Sequence, residues 1–254
     1  MGIREKLKER EEARDKAAQG AGGGINAGLP EGVTRYVKLG QELAGGKTFV
    51  LLAPYGQWYF YYTHEDGEKY PSRETYYRKH TCTHSPKVAP ANDDEGVTLF
   101  DQHAKPNGGN CLSCKAKAKR KLYFMLPVYD PEYKTWRVLD LKEFHAKNIM
   151  DDFDKIQLTA QKFKPDYTLV GDAVTIAKTS DGKSYSMESG NLDGAVIEAA
   201  RAFIGSTEIK YEELANFRTE DDLREILKNA TKNVDKTVLE EGAPITVSDE
   251  DLPF

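Results

Sequence analysis

Cys111 and Cys114 stand two residues apart in "GGNCLSCK". That spacing lets two thiolates grip one face of a tetrahedral metal ion, and Gly108 and Gly109 permit the tight turn such a grip needs. The third cysteine, Cys82, lies in "RKHTCTH" at the end of a predicted strand. An odd number of cysteines argues against a disulfide framework and leaves metal ligation open. A redox dithiol normally opens a helix after a strand in a βαβ setting, which this sequence lacks. The expectation is therefore one structural Zn2+, with Cys82, Cys111 and Cys114 as ligands. The residues alone leave the fourth open among His64, His80, His84 and His103. Catalytic zinc is not expected, because no acid suited to act as a general base stands beside a histidine pair.

The elements that must position these residues read mostly as strands. "KTFVLLAP", "QWYFYYTH", "ETYYRKHTC", "KLYFMLPVYD", "TWRVLDL", "YTLVGDAVTIAKTS" and "KSYSMES" are rich in β-branched and aromatic residues. Turn signals such as "APYGQ", "DPEYK" and "TSDGKS" separate them. One helix interrupts: "DLKEFHAKNIMDDFDKI" puts Leu141, Phe144, Ile149, Phe153 and Ile156 roughly on one face. Many short strands with one internal helix predict a mainly β fold, an OB-fold-like small barrel with a zinc-binding subdomain. C-terminal helices follow: "LDGAVIEAARAFI", and "TEDDLREILKNATKNV" with Thr219 and Asp222 at capping-box spacing. The expected organisation is a charged N-terminal arm and glycine-rich linker over 1–32, a core over 33–187 with a knuckle insertion at about 83–115, a helical segment over 188–232 and a disordered acidic tail over 233–254.

Charge is divided unevenly. The chain carries a formal net charge of -5. Between Cys111 and Lys147 nine basic residues face four acidic ones, whereas from Gly205 to Phe254 six basic residues face thirteen acidic ones. Such asymmetry fits a polyanion-binding middle and an acidic tail. Strands alternate their faces, so in "KLYFMLPV" Leu122, Phe124, Leu126 and Val128 point to a core while Lys121, Tyr123 and Met125 point away. In "QWYFYYT" both faces are aromatic, and one of them needs a cover. Tyrosines interleaved with lysines and arginines, beside "KAKAKRK", suit a single-stranded nucleic-acid groove in which bases stack on rings and cations track phosphates. The expected DNA-contacting set is Trp58, Phe60, Tyr62, Tyr77, Lys79, Lys117, Lys119, Arg120, Lys121, Tyr123, Trp136 and Arg137.

Several segments, in order, resemble the zinc-containing, helix-destabilising single-stranded DNA-binding proteins of tailed bacteriophages. They are "TFVLLAP", "YYTHEDG", "YYRKHTC", "NCLSCK" and "AKRKLYFMLPVYDPEYKTWRVLDLKEFHAKNI". The resemblance implies an OB-fold core, a ligand set of His64, Cys82, Cys111 and Cys114, and a protein without catalytic activity. Such a protein coats single strands in DNA replication, recombination and repair in the host cytoplasm. The chain departs from the family in the long separation of Cys82 from Cys111. It departs also in its N-terminal arm, where six basic residues face five acids instead of forming the basic, self-associating arm the family uses.

The sequence ends in "SDEDLPF". Asp249, Glu250, Asp251, Leu252, Pro253 and Phe254 resemble the acidic tip of bacterial single-stranded DNA-binding proteins, which implies recruitment of replication and recombination proteins. The start, "MGIREKLKER", has no apolar signal core, and no run approaches 18 apolar residues, so neither export nor a membrane span is expected. The rival class is a zinc-ribbon enzyme such as a nuclease or a primase accessory factor, which needs clustered carboxylates for a metal pair. The candidates are "NDDEG" at 92–96, read as loop, and "MDDFD" at 150–154, read as the solvent face of a helix.

Overall fold

The computed structural model describes residues 24–65, 80–206, 208–230 and 234–239. The N-terminal arm before residue 24 and the tail beyond residue 239 lie outside them. Seven antiparallel strands form one sheet: β1 Lys47–Leu51, β2 Tyr59–Glu65, β3 His80–Thr81, β4 Lys119–Asp130, β5 Thr135–Lys142, β6 Ala173–Lys178 and β7 Tyr185–Ser189. The order runs β3-β2-β4-β1-β6-β7, with β5 on the other side of β4. These strands do not close into a barrel, which corrects the barrel expected from the strand count.

The long strand β4 organises the sheet. Its first half pairs with β2, from Glu65 opposite Lys119 to Tyr59 opposite Met125. Its second half pairs with β1 at Val128 and Tyr129, while β5 runs along its other edge from Tyr123 to Asp130. Pro127 falls where β4 changes partners. A proline has no N–H to give a ladder, so the handover is the place in a central strand where it costs least. Its carbonyl still accepts from Leu52 N at 3.3 Å.

The helices are α1 Leu39–Glu42, α2 Asp93–Ala104, α3 Leu112–Lys115, α4 Glu143–Gln161, α5 Gly194–Arg201, α6 Tyr211–Ala215 and α7 Glu220–Lys228. No helix among the described residues is long and apolar enough to cross a membrane. The main core lies between the sheet and α4. Leu126 and Val128 of β4, Leu139 and Leu141 of β5, and Phe49 and Leu51 of β1 pack there with Ala146, Ile149 and Phe153. The alternation in β4 is as expected, with Tyr123 and Met125 on the opposite face. That face is not open to solvent. Tyr211 stacks on Tyr59 with ring centroids 4.7 Å apart, and Leu214 and Ala215 complete the cover over Tyr61 and Tyr123. Helix α6 thus buries aromatic surface that would otherwise meet water, and stacked rings add to the area term.

Two sequence expectations about acids resolve differently. "NDDEG" is not loop: Asn92 caps α2, its side chain accepting from Glu95 N at 2.9 Å. Asp93, Asp94 and Glu95 then sit in the first turn, where the helix dipole favours negative charge. In "MDDFD", Asp151 is exposed, but Asp152 accepts from Met187 N at 3.0 Å and ties α4 to β7. The Thr219–Asp222 capping box at the head of α7 is present as expected.

Candidate metal centre and adjoining groove

His64, Cys82, Cys111 and Cys114 come together from three places in the chain, with all their ligand atoms within 4.8 Å of one another. His64 is brought by β2, and Cys82 follows the short strand β3. Cys111 is the residue before α3 and Cys114 lies inside it, so one helical turn presents both sulfurs. The Sγ atoms of Cys82 and Cys114 are 3.6 Å apart, and His64 Nε2 is 3.5 Å from the sulfurs of both Cys111 and Cys114. A tetrahedral ion with metal–sulfur bonds of about 2.3 Å and metal–nitrogen bonds of about 2.0–2.1 Å needs S···S near ~3.8 Å and N···S near ~3.6 Å. The four donors fit one such ion.

His64 is selected over the other histidines by its second nitrogen. Nδ1 lies 3.0 Å from the carbonyl of Ala118, which can only accept, so Nδ1 carries a proton and Nε2 is the nitrogen turned to the sulfurs, where it can ligate an ion. His80 Nε2 instead meets the Ser113 hydroxyl at 2.8 Å, and His84 and His103 pair with each other nearby. Burial lowers the basicity of His64, but hydrogen bonds and charge from Cys111 and Cys114 outweigh it and lift the imidazole to about 9. Hydrogen bonds with Cys114 and Cys82 draw the Cys111 thiol below the thiol range, and the bonds of Cys82 to Cys111 and Cys114 push Cys82 above it. Without a cation the packed sulfurs share negative charge poorly; a dication relieves all of them at once.

Both sides of the centre are covered. Leu112 and Ala116, next to the cysteines, pack against Leu223, Ile226 and Leu227 of α7 and against Val238. Asp235 N donates to Ala116 O at 2.8 Å, and Lys117 pairs with Asp235 at 3.3 Å. Phe60, Tyr62 and Leu122 cover the opposite side.

Several residues expected to contact DNA are buried. Trp58 is in the main core, with its indole N–H donated to Ala53 O. Phe60 and Tyr123 belong to covered aromatic clusters, so neither offers a face to a base. Arg137 is 1% exposed and donates to Thr34 O, Tyr36 O, both carboxylate oxygens of Glu42 and Asp130 Oδ2. All five guanidinium protons are spent, so it has none for a phosphate. Trp136 is half-buried, with the Arg35 guanidinium 4.1 Å above its ring. Lys117 and Lys119 are exposed. Tyr77 and Lys79 lie outside the described residues.

What the structure does bring together is a groove of about 550 Å³ beside the metal centre. Tyr62, Arg120 and Lys121 of the expected set line it, joined by Phe100, Lys142, Glu143 and Phe144. The Arg120 guanidinium lies 3.8 Å from the Tyr62 ring centroid and donates to the carbonyls of His103 and Ala104. Phe144 is 61% exposed and Phe100 38% exposed. Sequence reasoning missed Phe100, because it reads the head of that helix, "NDDEG", as loop. It put Phe144 on one helix face with Ile149 and Phe153, but at the head of α4 Phe144 is exposed. The signal available was Lys142, two residues ahead of Phe144, at the end of a strand.

No protein-family model matches the sequence, and no curated protein or solved structure matches it.

Proposed function

We propose that this chain is a non-enzymatic protein that binds single-stranded DNA without sequence preference, with one structural zinc ion in the His64–Cys82–Cys111–Cys114 cluster. The observation that supports the reading is the groove. It combines three cations, Arg120, Lys121 and Lys142, with two exposed rings, Phe100 and Phe144, beside a rigid centre. Stacking on a ring contributes about 1–3 kcal/mol per base and tolerates any base, while cations follow the backbone. Three thiolates and one imidazole are a donor set that suits zinc, and a closed four-ligand shell suits a structural ion. In this reading the sheet, with β4 passing from β2 to β1, is a partly open relative of the OB fold. The resemblance to phage helix-destabilising proteins adds a place in replication, recombination or repair in the host cytoplasm. It leaves to residues 249–254, outside the described chain, the recruitment of partners.

The test is anisotropy of labelled oligo-dT, against a duplex of equal length, over a range of salt. Trp58 is too buried and Trp136 too shielded to report by quenching. Single-strand binding should fall steeply with salt, and duplex binding should be much weaker. Phe144→Ala should weaken single-strand binding, and Lys142→Ala should lower the salt slope by about 0.7 per lost phosphate contact. Equal affinity for both forms, or salt-independent binding, would refute the reading.

A further inference from the structure

His84 and His103 are left over once the metal centre has taken His64. His84 stands in the turn after Cys82, and His103 in the last turn of α2. Their ring centroids are 4.8 Å apart, with planes inclined at 46°. Each is half-buried, with an open side. Each ring is latched to backbone in the other's segment. His103 Nδ1 lies 2.6 Å from His84 O, and the His84 ring hydrogen-bonds the backbone of Gln102. A carbonyl only accepts, so His103 Nδ1 carries the proton and Nε2 keeps a lone pair. A backbone bond on one imidazole nitrogen that orients the other is the arrangement metal-binding histidines use.

The distance can be compared with what ligation requires. With metal–nitrogen bonds of about 2.0–2.1 Å, an imidazole centroid sits about 3.2 Å from the ion. Two such rings at angles between square and tetrahedral have centroids about 4.5–5.2 Å apart. The observed separation falls inside that range.

We propose that His84 and His103 form a second metal site, distinct from the Cys/His centre, which takes a divalent transition-metal ion of the nickel–zinc type with water completing its shell. Imidazole donors without thiolates or carboxylates select ions of that class over magnesium or calcium. Two charges set the affinity. A centre of three thiolates, one imidazole and a dication carries a net negative charge and attracts a second cation. The Arg120 guanidinium, anchored on His103 O and Ala104 O, opposes it. The site is therefore weaker than the thiolate centre and open to exchange.

The experiment titrates Ni2+ into the full chain, first shown to hold one equivalent of zinc, by calorimetry. One further equivalent is expected. His84→Gln and His103→Gln should each weaken it at least tenfold, while His145→Gln, whose ring meets Ser184 instead, should leave it unchanged. If the chain takes no zinc, the same titration in a Cys111→Ser/Cys114→Ser background examines the histidine pair alone. Circular dichroism and thermal melting of each variant separate loss of a ligand from loss of fold. The site is refuted if no further equivalent binds, if folded His84 and His103 variants bind Ni2+ as the parent does, or if His145→Gln abolishes binding equally.

Discussion

The two ends of β4 bury polar groups in opposite ways. At the Asp130 end the chain supplies both signs itself. Asp130 and Arg137 are 0% and 1% exposed and meet at 2.9 Å. Glu42 accepts from Arg137 at 2.6 and 2.9 Å, and Lys47 reaches Asp130 at 2.9 Å and Glu42 at 3.2 Å. Lys47 also reaches the exposed Glu132 at 2.7 Å, so three acids face two bases, and the network is complete without a guest. At the Lys119 end the chain supplies only donors: three sulfurs and an imidazole, packed at ligand distance. In the proposed reading a cation completes that end. One strand would then join a region whose stability is written in its own side chains to one whose stability is borrowed from solution.

The largest test of this contrast is metal removal. A structural zinc can contribute on the order of 10 kcal/mol to a small site. Chelation, or Cys114→Ser, should release one equivalent of metal and sharply lower the thermal midpoint. Amide exchange should rise first around α3 and α7, with the main core under α4 protected longest. Uniform loss of protection, or a metal-free protein that melts as before, would break the contrast.

The next effect belongs to the other end. Arg137→Ala leaves the buried Asp130 with Lys47 as its remaining ion-pair partner, at a cost toward the lower end of about 3–5 kcal/mol. Replacing Arg137 and Asp130 together by apolar residues of similar size should recover much of that loss. No apolar replacement of two cysteines should do the same at the metal end. Chemical denaturation of the single and double variants measures both.

A smaller effect is expected in the groove. Phe144→Ala should cost about 1–3 kcal/mol of single-strand affinity if a base stacks there. Because Phe144 is 61% exposed, melting should hardly change. A drop in stability as large as the drop in affinity would make Phe144 a packing residue.

The smallest effect is acid sensitivity at the self-paired end. Burial alone raises the Glu42 carboxyl, but Arg137, with Lys38 N and Lys47, outweighs it and holds the group at about 2 against an ordinary 4.5. A depressed carboxyl contributes stability above its unfolded value and loses it as pH falls. The Glu42 contribution should thus be whole above about pH 4.5 and gone below about pH 2. With one-fifth of the side chain exposed, screening reduces it to the order of 1 kcal/mol. Glu42→Gln should flatten this limb of the melting-versus-pH curve, and an unchanged slope would remove Glu42 from the network.

The metal end was the more legible in sequence, and the reason is locality. Cys111 and Cys114 reach their geometry through a single helical turn, so their spacing carries the chemistry. The capping box at Thr219 and the alternation along β4 are equally local. The self-paired end was illegible because Arg137 on an exposed-looking strand reads as a surface cation. Its burial depends on Glu42, 95 residues away in sequence. Phe60 of β2, expected to meet a base, was misread for the same reason: nothing near it in sequence announces that Leu99, Phe100 and Leu122 cover it. Long-range covering also explains why strand counting suggested a barrel where the sheet stays open.

The packing of α7 on α3 has a consequence for synthesis. The thiols of Cys111 and Cys114 leave the ribosome before the helix that covers them has been made. Leu223 is translated roughly 110 residues after Cys114, which at about 5–20 residues per second is a delay of about 5–20 s. During that interval His64, Cys82 and the cysteine turn can meet while the lid contributed by Leu223, Ile226 and Leu227 does not yet exist. A chain that takes its ion within that interval takes it unroofed, and α7 then closes over the site.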